Sequence, residues 1–549
     1  MKRFLLLLVL VFAGTQQNFA QEKLSETQKL EALAKVWGFL KYYHPNVSKG
    51  TFDWDQQLID KINQSEKVEN RIQFNTLISE WIDSLGKVDR CKKCSKKDDR
   101  KYFLKNFDLS WTDDRVVFDQ KVIEKLNFIE QNRNQTSDFY YTAKRDSDGY
   151  FGVQNEKMIT EKFPEKQVRL LELFRYWNTV EYFFPYKYQT DQKWNDVLKE
   201  MIAKFTEVKD RKEYLLTMAE LAAKTNDNHV HFMAVRRHIY YGDYQIPAAT
   251  KYVEKQLIVT DLYFTKTPYT SGLQKFDIIK KIDGKTPEEI QKFYSKYVPA
   301  SNEWTFLGKI TDNYLYSFKD KINLEIIRNN QPIKLVVDAL EFKNIDYPKS
   351  EEKEKWKLLD NNTGYVNIGA LKVEDVKKMF EKLGNTEALI FDMRNYPNKT
   401  TGEIAKYLLP SKSDYYIWMS HDITYPGKFY EKTASVGQNN SDFYKGKVIA
   451  LVNDVTQSQA ETLTMMLKQH PNTKVIGSNT AGANGNIVRL NINNIHTAYS
   501  GLGAFYPDGR ETQRIGILPD IIVKPTVNGI QNDKDEVLER ALQYIKTGK

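Results

Sequence analysis

Two cysteines are all that this 549-residue chain contains, and Cys91 and Cys94 are separated only by two lysines. In a cytosolic protein a Cys-x-x-Cys pair indicates redox work or half of a zinc site. A zinc site needs two more ligands, and the sequence has no second Cys-x-x-Cys pair. In an exported protein, a local disulfide that braces a loop is the favoured interpretation.

Long apolar runs are absent beyond the N-terminus. There, Lys2 and Arg3 precede an apolar run over residues 4–13, and Ala20 supplies a small residue. This order is typical of a secretory signal peptide that is cleaved after Ala20. No later segment has the roughly 18 consecutive apolar residues of a membrane helix. We therefore expect residues 1–20 to be a signal peptide. The mature protein is expected to be exported, to the periplasm or the cell surface, without an integral membrane segment.

The net charge of +9 is not concentrated in one place. The most basic stretch, residues 92–105, also contains Asp98 and Asp99. Nucleic-acid binding is indicated by a basic patch joined to a known binding module, and the sequence shows no such module. We interpret this stretch as part of a solvated surface. No nucleic-acid partner is expected.

An internal repeat occupies the N-terminal part of the chain. Trp37 and Trp54 mark one copy, and Trp177 and Trp194 mark a second copy 140 residues further on. In both copies a proline follows the first tryptophan after eight residues. Each copy is typical of a helix, a turn broken by proline and a second helix, with aromatic residues at core spacing. We expect a helical region over residues 21–236.

Residues 237–345 change to a strand-like pattern, with apolar runs at 256–260 and 322–327. Between these runs, residues 272–284 read Gly-Leu-Gln-Lys-Phe-Asp-Ile-Ile-Lys-Lys-Ile-Asp-Gly. This segment resembles the "GDxIxxIDG" signature of PDZ domains, with Phe276 in place of the usual glycine. PDZ domains bind extended peptides at a sheet edge. The resemblance implies a PDZ-like peptide-binding domain over 237–345.

Residues 346–549 alternate between short buried strands and helices, a pattern that predicts an α/β layer architecture. The predicted strands are 364–368, 388–391, 447–452 and 474–476, and the predicted helices are 373–383 and 457–468. The fold class predicted for the whole chain is multidomain α/β.

Ser458 lies between a predicted buried strand and the first turn of a predicted helix. A serine there is suited to nucleophilic attack, because helix N-terminal amides and the helix dipole favour negative charge nearby. The ordinary alternative is an N-cap serine that forms a capping box with Glu461. This spacing alone leaves both interpretations open.

Five motifs, in one order along the chain, resemble those of the C-terminal-processing (tail-specific) serine proteases. Residues 458–461 (Ser-Gln-Ala-Glu) resemble the Ser-x-x-Glu motif, and residues 392–397 (Asp-Met-Arg-Asn-Tyr-Pro) resemble the "DLRNNPGG" loop. Residues 477–482 resemble "GExTxG", residues 513–520 resemble the closing "QGxGIxPD", and residues 227–229 resemble "DGH".

The resemblance implies an α/β serine peptidase core of ClpP/crotonase-like type over residues 346–549. Ser458 would be the nucleophile, and backbone amides at Asn398 and Gln459 would hold the oxyanion. The substrate would be a polypeptide, and neither cofactor nor metal would be needed.

The base differs from that of the lysine-dependent branch of this family. A catalytic lysine there follows the nucleophile by 25 positions, whereas position 483 here is alanine. Residues 480–485 look more like the tricorn-type branch, which uses a histidine, and His229 matches its position. His231 is the nearest competitor. On a strand the two histidines would share a face and could form a metal pair, but no third ligand is evident.

The third catalytic member is open at this stage. Gln513 stands where the tricorn-type enzymes have a glutamate, and Glu511 and Glu461 are further candidates. Asn398-Lys399 also replaces the usual Gly-Gly pair.

The expected function is an exported serine-type endopeptidase with a serine nucleophile and a histidine base. A non-catalytic peptide-binding protein on the same scaffold and an acyl hydrolase are the alternatives.

Overall fold

A computed structural model provides the structure of the protein. It describes residues 23–95, 98–136, 139–142, 152–231, 242–266, 269–348, 354–360, 362–492 and 495–549. The signal peptide predicted at residues 1–20 lies outside the described residues.

The α-helices of the described residues are numbered in chain order. They are α1 (Glu26–Tyr43), α2 (Trp54–Ser65), α3 (Arg71–Ser84), α4 (Gln120–Gln131), α5 (Lys166–Phe183), α6 (Trp194–Glu207), α7 (Arg211–Ala223), α8 (Pro287–Tyr294), α9 (Glu303–Thr311), α10 (Val376–Leu383), α11 (Thr401–Leu408), α12 (Gln459–Leu467), α13 (Val527–Gln531) and α14 (Glu536–Thr547).

The strands are numbered in the same way. They are β1 (Tyr102–Phe103), β2 (Tyr141–Thr142), β3 (Gly152–Val153), β4 (Tyr244–Gln245), β5 (Ala248–Val253), β6 (Gln256–Leu262), β7 (Phe264–Thr265), β8 (Ile278–Ile282), β9 (Tyr316–Ser317), β10 (Lys321–Arg328), β11 (Gln331–Asp338), β12 (Leu340–Glu341), β13 (Ile345–Asp346), β14 (Trp356–Leu359), β15 (Thr363–Asn367), β16 (Ala388–Asp392), β17 (Ser413–His421), β18 (Phe429–Val436), β19 (Lys447–Val452), β20 (Thr473–Gly477), β21 (Ile487–Ile492), β22 (Ile495–Ser500), β23 (Gly503–Phe505) and β24 (Ile521–Ile522).

These elements form two compact units. The first contains the described residues within 1–221, 420–431 and 488–494. The second contains those within 222–419, 432–487 and 495–549. The finer division into a helical region, a PDZ-like domain and a peptidase core stays a prediction.

The two copies of the sequence repeat have the same local structure in the first unit. Trp37 Nε1 donates to the Trp54 carbonyl at 3.0 Å, and Trp54 Nε1 donates back to the Trp37 carbonyl at 3.2 Å. Trp177 and Trp194 exchange the same pair of hydrogen bonds at 2.8 and 3.0 Å. All four indoles are buried. In each copy these bonds satisfy the indole N–H groups inside the core and join the two helices of the copy.

The first helices of the two copies, α1 and α5, meet at equivalent positions. A Cβ at Gly38 would lie 1.8 Å from Asn178 Oδ1, and Asn178 Nδ2 donates to the Ala34 carbonyl at 3.0 Å. Asn178 is the residue 140 positions after Gly38. The absence of a side chain at Gly38 lets the backbone of α1 approach the asparagine of α5.

Cys91 and Cys94 form a disulfide in the first unit, as the sequence predicts for an exported chain. The Cys91 N–H donates to Asn132 Oδ1 at 2.8 Å, so the bridged loop is held against the residue that follows α4. Among the described residues, no helix is both long and apolar enough to cross a membrane.

A five-stranded antiparallel sheet in the order β11-β10-β8-β6-β5 begins the second unit. Phe276, just before β8, has a φ of 76°, a left-handed conformation that favours glycine. This geometry explains why the related signature has glycine there. Next to it, buried Asp277 forms two 2.7 Å hydrogen bonds with the Arg328 guanidinium.

A six-stranded sheet in the order β14-β15-β16-β19-β20-β24 forms the rest of the second unit's core. Its first pair is antiparallel and the others are parallel. The buried side chains of these strands are divided between two apolar clusters. Helices α10, α11 and α12 contribute to one cluster, and helix α14 contributes to the other. The mixed α/β character predicted from the sequence is confirmed. Because the inner strands are parallel, the loops after β16, β19 and β20 leave from one edge.

Candidate active site

Ser458 occupies the position predicted for it, between β19 and the first residue of α12. Its backbone has φ 57° and ψ −117°, which non-glycine residues rarely adopt and which costs of the order of 1–3 kcal/mol. The Ser458 N–H donates to the Ala483 carbonyl at 3.0 Å and to Glu461 Oε2 at 3.1 Å. These bonds hold a strained serine, half-buried, at the edge where parallel strands end.

Glu461 is fully buried and joins Ser458 to the loop after β20. Besides the Ser458 N–H, it accepts from Thr480 Oγ1 at 2.5 Å, from the Gly482 N–H at 2.8 Å and from the Ala483 N–H at 3.3 Å. Burial raises the pKa of Glu461 to about 7, and these four donors act in the opposite direction. Its bond to Ser458 resembles one half of a capping box. The other three bonds show that Glu461 also fixes a second loop.

The loop after β16 is tied to the loop that carries the nucleophile. Thr456 Oγ1, two residues before Ser458, donates to the Met393 carbonyl at 3.0 Å. Further along, exposed Asn398 uses its side-chain amide to donate to the carbonyls of Gly369 and Leu371, at 2.7 and 3.1 Å. The Asn398 side chain therefore anchors its own loop.

Arg394 adds a second anchor to the loop after β16. Its guanidinium pairs with Asp392 at the end of β16 and with Asp535 at the N-cap of α14, in each case at 2.8 Å. The hydrogen bonds to these carboxylates raise the pKa of Arg394, which keeps its charge. The C-terminal helix thus braces the loop in which we predict an oxyanion donor.

His229 lies in a turn, which corrects the expectation that His229 and His231 would share the face of a strand. The turn forms because the Val230 N–H donates to the Asp227 carbonyl at 3.1 Å. His231 Nδ1 binds the His229 carbonyl at 2.9 Å, so this ring supports the backbone of its neighbour. No group of three or more His, Cys, Asp or Glu side chains suited to a metal ion occurs among the described residues.

His229 is connected to a carboxylate through Ser500, a residue that belongs to no motif in the sequence. His229 Nδ1 lies 2.7 Å from Ser500 Oγ, and Ser500 Oγ donates to Asp227 Oδ1 at 2.9 Å. The direct distance from His229 Nδ1 to Asp227 Oδ1 is 3.8 Å. Ser500 is fully buried at the end of β22 and is therefore unsuited to attack a substrate.

The directions of these hydrogen bonds determine the tautomer of His229. A carboxylate only accepts, and the single Ser500 hydroxyl proton goes to Asp227. Ser500 Oγ must then accept from His229 Nδ1–H. A neutral imidazole with its proton on Nδ1 has an unprotonated Nε2, which is the arrangement a general base needs. Burial is the main cause that lowers the pKa of His229, and Asp227 opposes it.

Gln513 belongs to the same cluster, and it contacts the carboxylate of Asp227. It is almost fully buried, and its Nε2 donates to Asp227 Oδ1 at 3.4 Å rather than to the imidazole. Asp227 also accepts from the Ser500 N–H at 2.6 Å and the His229 N–H at 3.1 Å. The carboxylate nearest the histidine is therefore Asp227. The other candidate, Glu511, lies at a bridge with Phe505.

The histidine and serine segments approach each other through their neighbours. Asn228 Nδ2, one residue before His229, donates at 2.6 Å to Gln457 Oε1, one residue before Ser458. Ala483, where the lysine-dependent branch would place its base, is buried beside Ser458 and accepts its N–H. The geometry thus combines a strained serine, a histidine in the tautomer of a base and a buried carboxylate behind it.

Residues 362–523, less than half of the chain, match the model of peptidase family S41. Ser458, Glu461 and Gln513 lie inside the matched range, whereas Asp227 and His229 precede it.

A probable CtpA-like serine protease from Staphylococcus haemolyticus (strain JCSC1435) is 22% identical over 334 residues. The alignment covers 56% of this chain and 59% of that relative's length. Two structures of mature CPAF, one in complex with lactacystin, each have a TM-score of 0.53 and 12% identity. They cover 69% of this chain and 99% and 98% of CPAF. At this identity the structural likeness shows the fold alone.

Proposed function

We propose that this protein is a serine-type endopeptidase in which Ser458 is the nucleophile and His229 is the general base. The observation that carries the proposal is the chain of hydrogen bonds from His229 Nδ1 through Ser500 to Asp227, which leaves Nε2 unprotonated. The strained backbone of Ser458 and the S41 match over residues 362–523 support it. A buried acid behind a histidine is the arrangement that activates a weak nucleophile, and we propose that Ser458 is that nucleophile.

In the proposed reaction, Ser458 Oγ attacks the carbonyl carbon of a peptide bond while its proton passes to His229 Nε2. The imidazolium that forms keeps its Nδ1–H on Ser500, and Asp227 stabilises its positive charge through that hydroxyl. His229 then gives the proton to the leaving amine, and an ester on Ser458 remains. Water hydrolyses the ester, again with His229 as the base, and the serine is restored.

Two backbone amides are proposed to hold the oxyanion, those of Gln459 and Asn398. Gln459 is the first residue of α12, where N–H groups have no partner within the helix. The Asn398 loop is fixed through Thr456, Arg394 and its own side chain. Each donor of this kind contributes about 10²–10³ in rate.

The remaining parts of the proposal concern the substrate and the compartment. The five-stranded sheet β11-β10-β8-β6-β5 is interpreted as part of a PDZ-like domain that captures a polypeptide. The six-stranded sheet is interpreted as a ClpP/crotonase-like core of the tricorn-type branch. Export to the periplasm or cell surface is supported by the order of residues 1–20 and by the Cys91–Cys94 disulfide. Neither a cofactor nor a metal takes part in the proposed steps.

A fluorophosphonate probe tests the nucleophile directly, because it reacts only with an activated serine. We expect the parent chain to be labelled at Ser458, as located by mass spectrometry of peptides. Ser458→Ala should abolish labelling and His229→Ala should slow it strongly. Ser411→Ala, at an exposed serine, is the matched control and should label like the parent.

Failure of the folded parent to label, combined with retained peptide binding, would favour the rival function of a non-catalytic peptide-binding protein. Asn398-Lys399 in place of two glycines and Gln513 in place of a glutamate motivate that rival. Labelling accompanied by cleavage of esters but not of peptides would favour an acyl hydrolase.

A further inference from the structure

Lys309 holds the backbone on both sides of His229. The carbonyls of Asn228 and Val230 accept from Lys309 Nζ at 2.8 and 3.1 Å. A third bond runs from the same ammonium to the Pro299 carbonyl at 2.7 Å. His229 belongs to neither a helix nor a strand, so side chains supply the hydrogen bonds that regular structure would otherwise provide.

The helix that carries Lys309 is itself anchored to the loop beside Ser458. Trp304 Nε1, on α9, donates to the Thr480 carbonyl at 2.7 Å. Asn302 Nδ2, just before α9, donates to the Ala481 carbonyl at 2.8 Å. Thr480 in turn donates to Glu461, which accepts the Ser458 N–H. Helix α9 therefore contacts the histidine segment at one end and the serine-bearing region at the other.

Lys309 also places a positive charge near the imidazole. Apart from burial, the groups that act on the pKa of His229 are Asp227 and His231 from its own segment and Lys309 from α9. Asp227 raises this pKa, whereas Lys309 and His231 lower it. Ser500 and Gln513, which complete the cluster, are uncharged. A nearby ammonium favours the neutral imidazole, which is the form that accepts a proton.

We propose that Lys309 is a positioning residue for the general base: through its three hydrogen bonds to backbone carbonyls it fixes the His229 segment relative to Ser458. This inference rests on the proposed function, because it assigns a purpose to the position of His229. Lys309 does not touch the reacting atoms. It acts through the three carbonyls it binds and through its charge.

Lys309→Met removes the three donors and the charge while keeping most of the side-chain volume. We expect kcat for a peptide substrate to fall about tenfold to a hundredfold with KM little changed, since the base is displaced but the substrate site is not. Loss of a positive neighbour raises the pKa of His229. The acid limb of the kcat/KM profile should therefore move to higher pH.

Lys309→Arg keeps the charge and several donors. It should leave the acid limb where it is in the parent and recover part of kcat. Lys292→Met, at an exposed lysine on α8, is the matched control and should match the parent. Thermal unfolding of all four chains identifies any decrease in kcat that arises only because a variant fails to fold.

An NMR titration of the His229 imidazole, with its signal assigned by comparison with His229→Gln, measures the pKa of His229 without any assay of activity. This measurement tests the inference independently of the proposed function. If the parent does not cleave peptides, the proposed function fails. The titration still reports whether Lys309→Met raises the pKa. An unchanged pKa and an unchanged kcat in Lys309→Met would overturn the inference. So would a lowered melting temperature with no change in the pKa of His229, which would mark Lys309 as structural only.

Discussion

Asp227→Asn should lower kcat for peptide hydrolysis by about 10³–10⁴ with little change in KM, a loss of the size known for the acid of a Ser–His–Asp triad. The expected cause is a change of tautomer. An asparagine amide can donate to Ser500 Oγ, and the Ser500 hydroxyl would then donate to His229 Nδ1. The imidazole proton would move to Nε2, and the base would lose the lone pair that receives the serine proton.

The Asp227 prediction is checked with steady-state kinetics on a peptide substrate and with thermal unfolding. Asp261→Asn, at an exposed carboxylate on β6, is the matched control and should keep parental kcat. A folded Asp227→Asn enzyme that keeps kcat within tenfold of the parent would contradict the assignment of Asp227 as the acid behind His229.

Glu461→Ala is expected to have the second large effect, a loss of stability accompanied by loss of activity. The substitution leaves the Thr480 hydroxyl and the Gly482 and Ala483 N–H groups without their buried acceptor. Each orphaned group costs about 1–3 kcal/mol, so the free energy of unfolding should fall by at least about 3 kcal/mol. The strained Ser458 also loses one of the two bonds that hold it.

Glu461→Gln is the matched variant, because it keeps the shape but does not titrate. The folded pKa of Glu461 is raised from 4.5 to about 7, so its contribution to stability is full below pH 4.5 and is lost as pH rises through 7. In urea unfolding, the advantage of the parent over Glu461→Gln should therefore be larger at pH 4.5 than at pH 8. An advantage that grows with pH would show that four donors outweigh burial and keep the carboxylate ionised.

The sequence predicted the position of Ser458 between a strand and a helix, because these features are local. The buried strand before Ser458, the helix after it and Glu461 three residues on are a continuous segment, and β19 and α12 lie within two residues of the predicted bounds. Ala483 excluded a lysine base at that position for the same reason. Phe276 has a φ of 76°, a conformation that favours glycine, at the position where the signature it resembles has glycine.

The link from His229 through Ser500 to Asp227 could not be predicted from sequence, because it depends on a tertiary contact. Ser500 is 271 residues away from His229 and belongs to no recognisable motif. In the sequence Asp227 is only part of a motif, and Gln513 is the candidate for the third catalytic member because the tricorn-type enzymes have a glutamate there. In the fold Gln513 donates to Asp227, so the carboxylate comes from the histidine's own segment. The turn that contains His229 was also missed, because the backbone hydrogen bond from Val230 to the Asp227 carbonyl defines it and leaves no periodic pattern in the sequence.

The central claim is that Ser458 and His229 together cleave peptide bonds. The most direct test is hydrolysis of an unfolded protein such as casein by the purified mature chain, beside Ser458→Ala and His229→Ala. We expect the parent to cleave and both variants to lose about 10⁴-fold or more in kcat, as members of a catalytic unit do. A parent that cleaves casein no faster than Ser458→Ala, while all three chains bind peptide, would contradict the account.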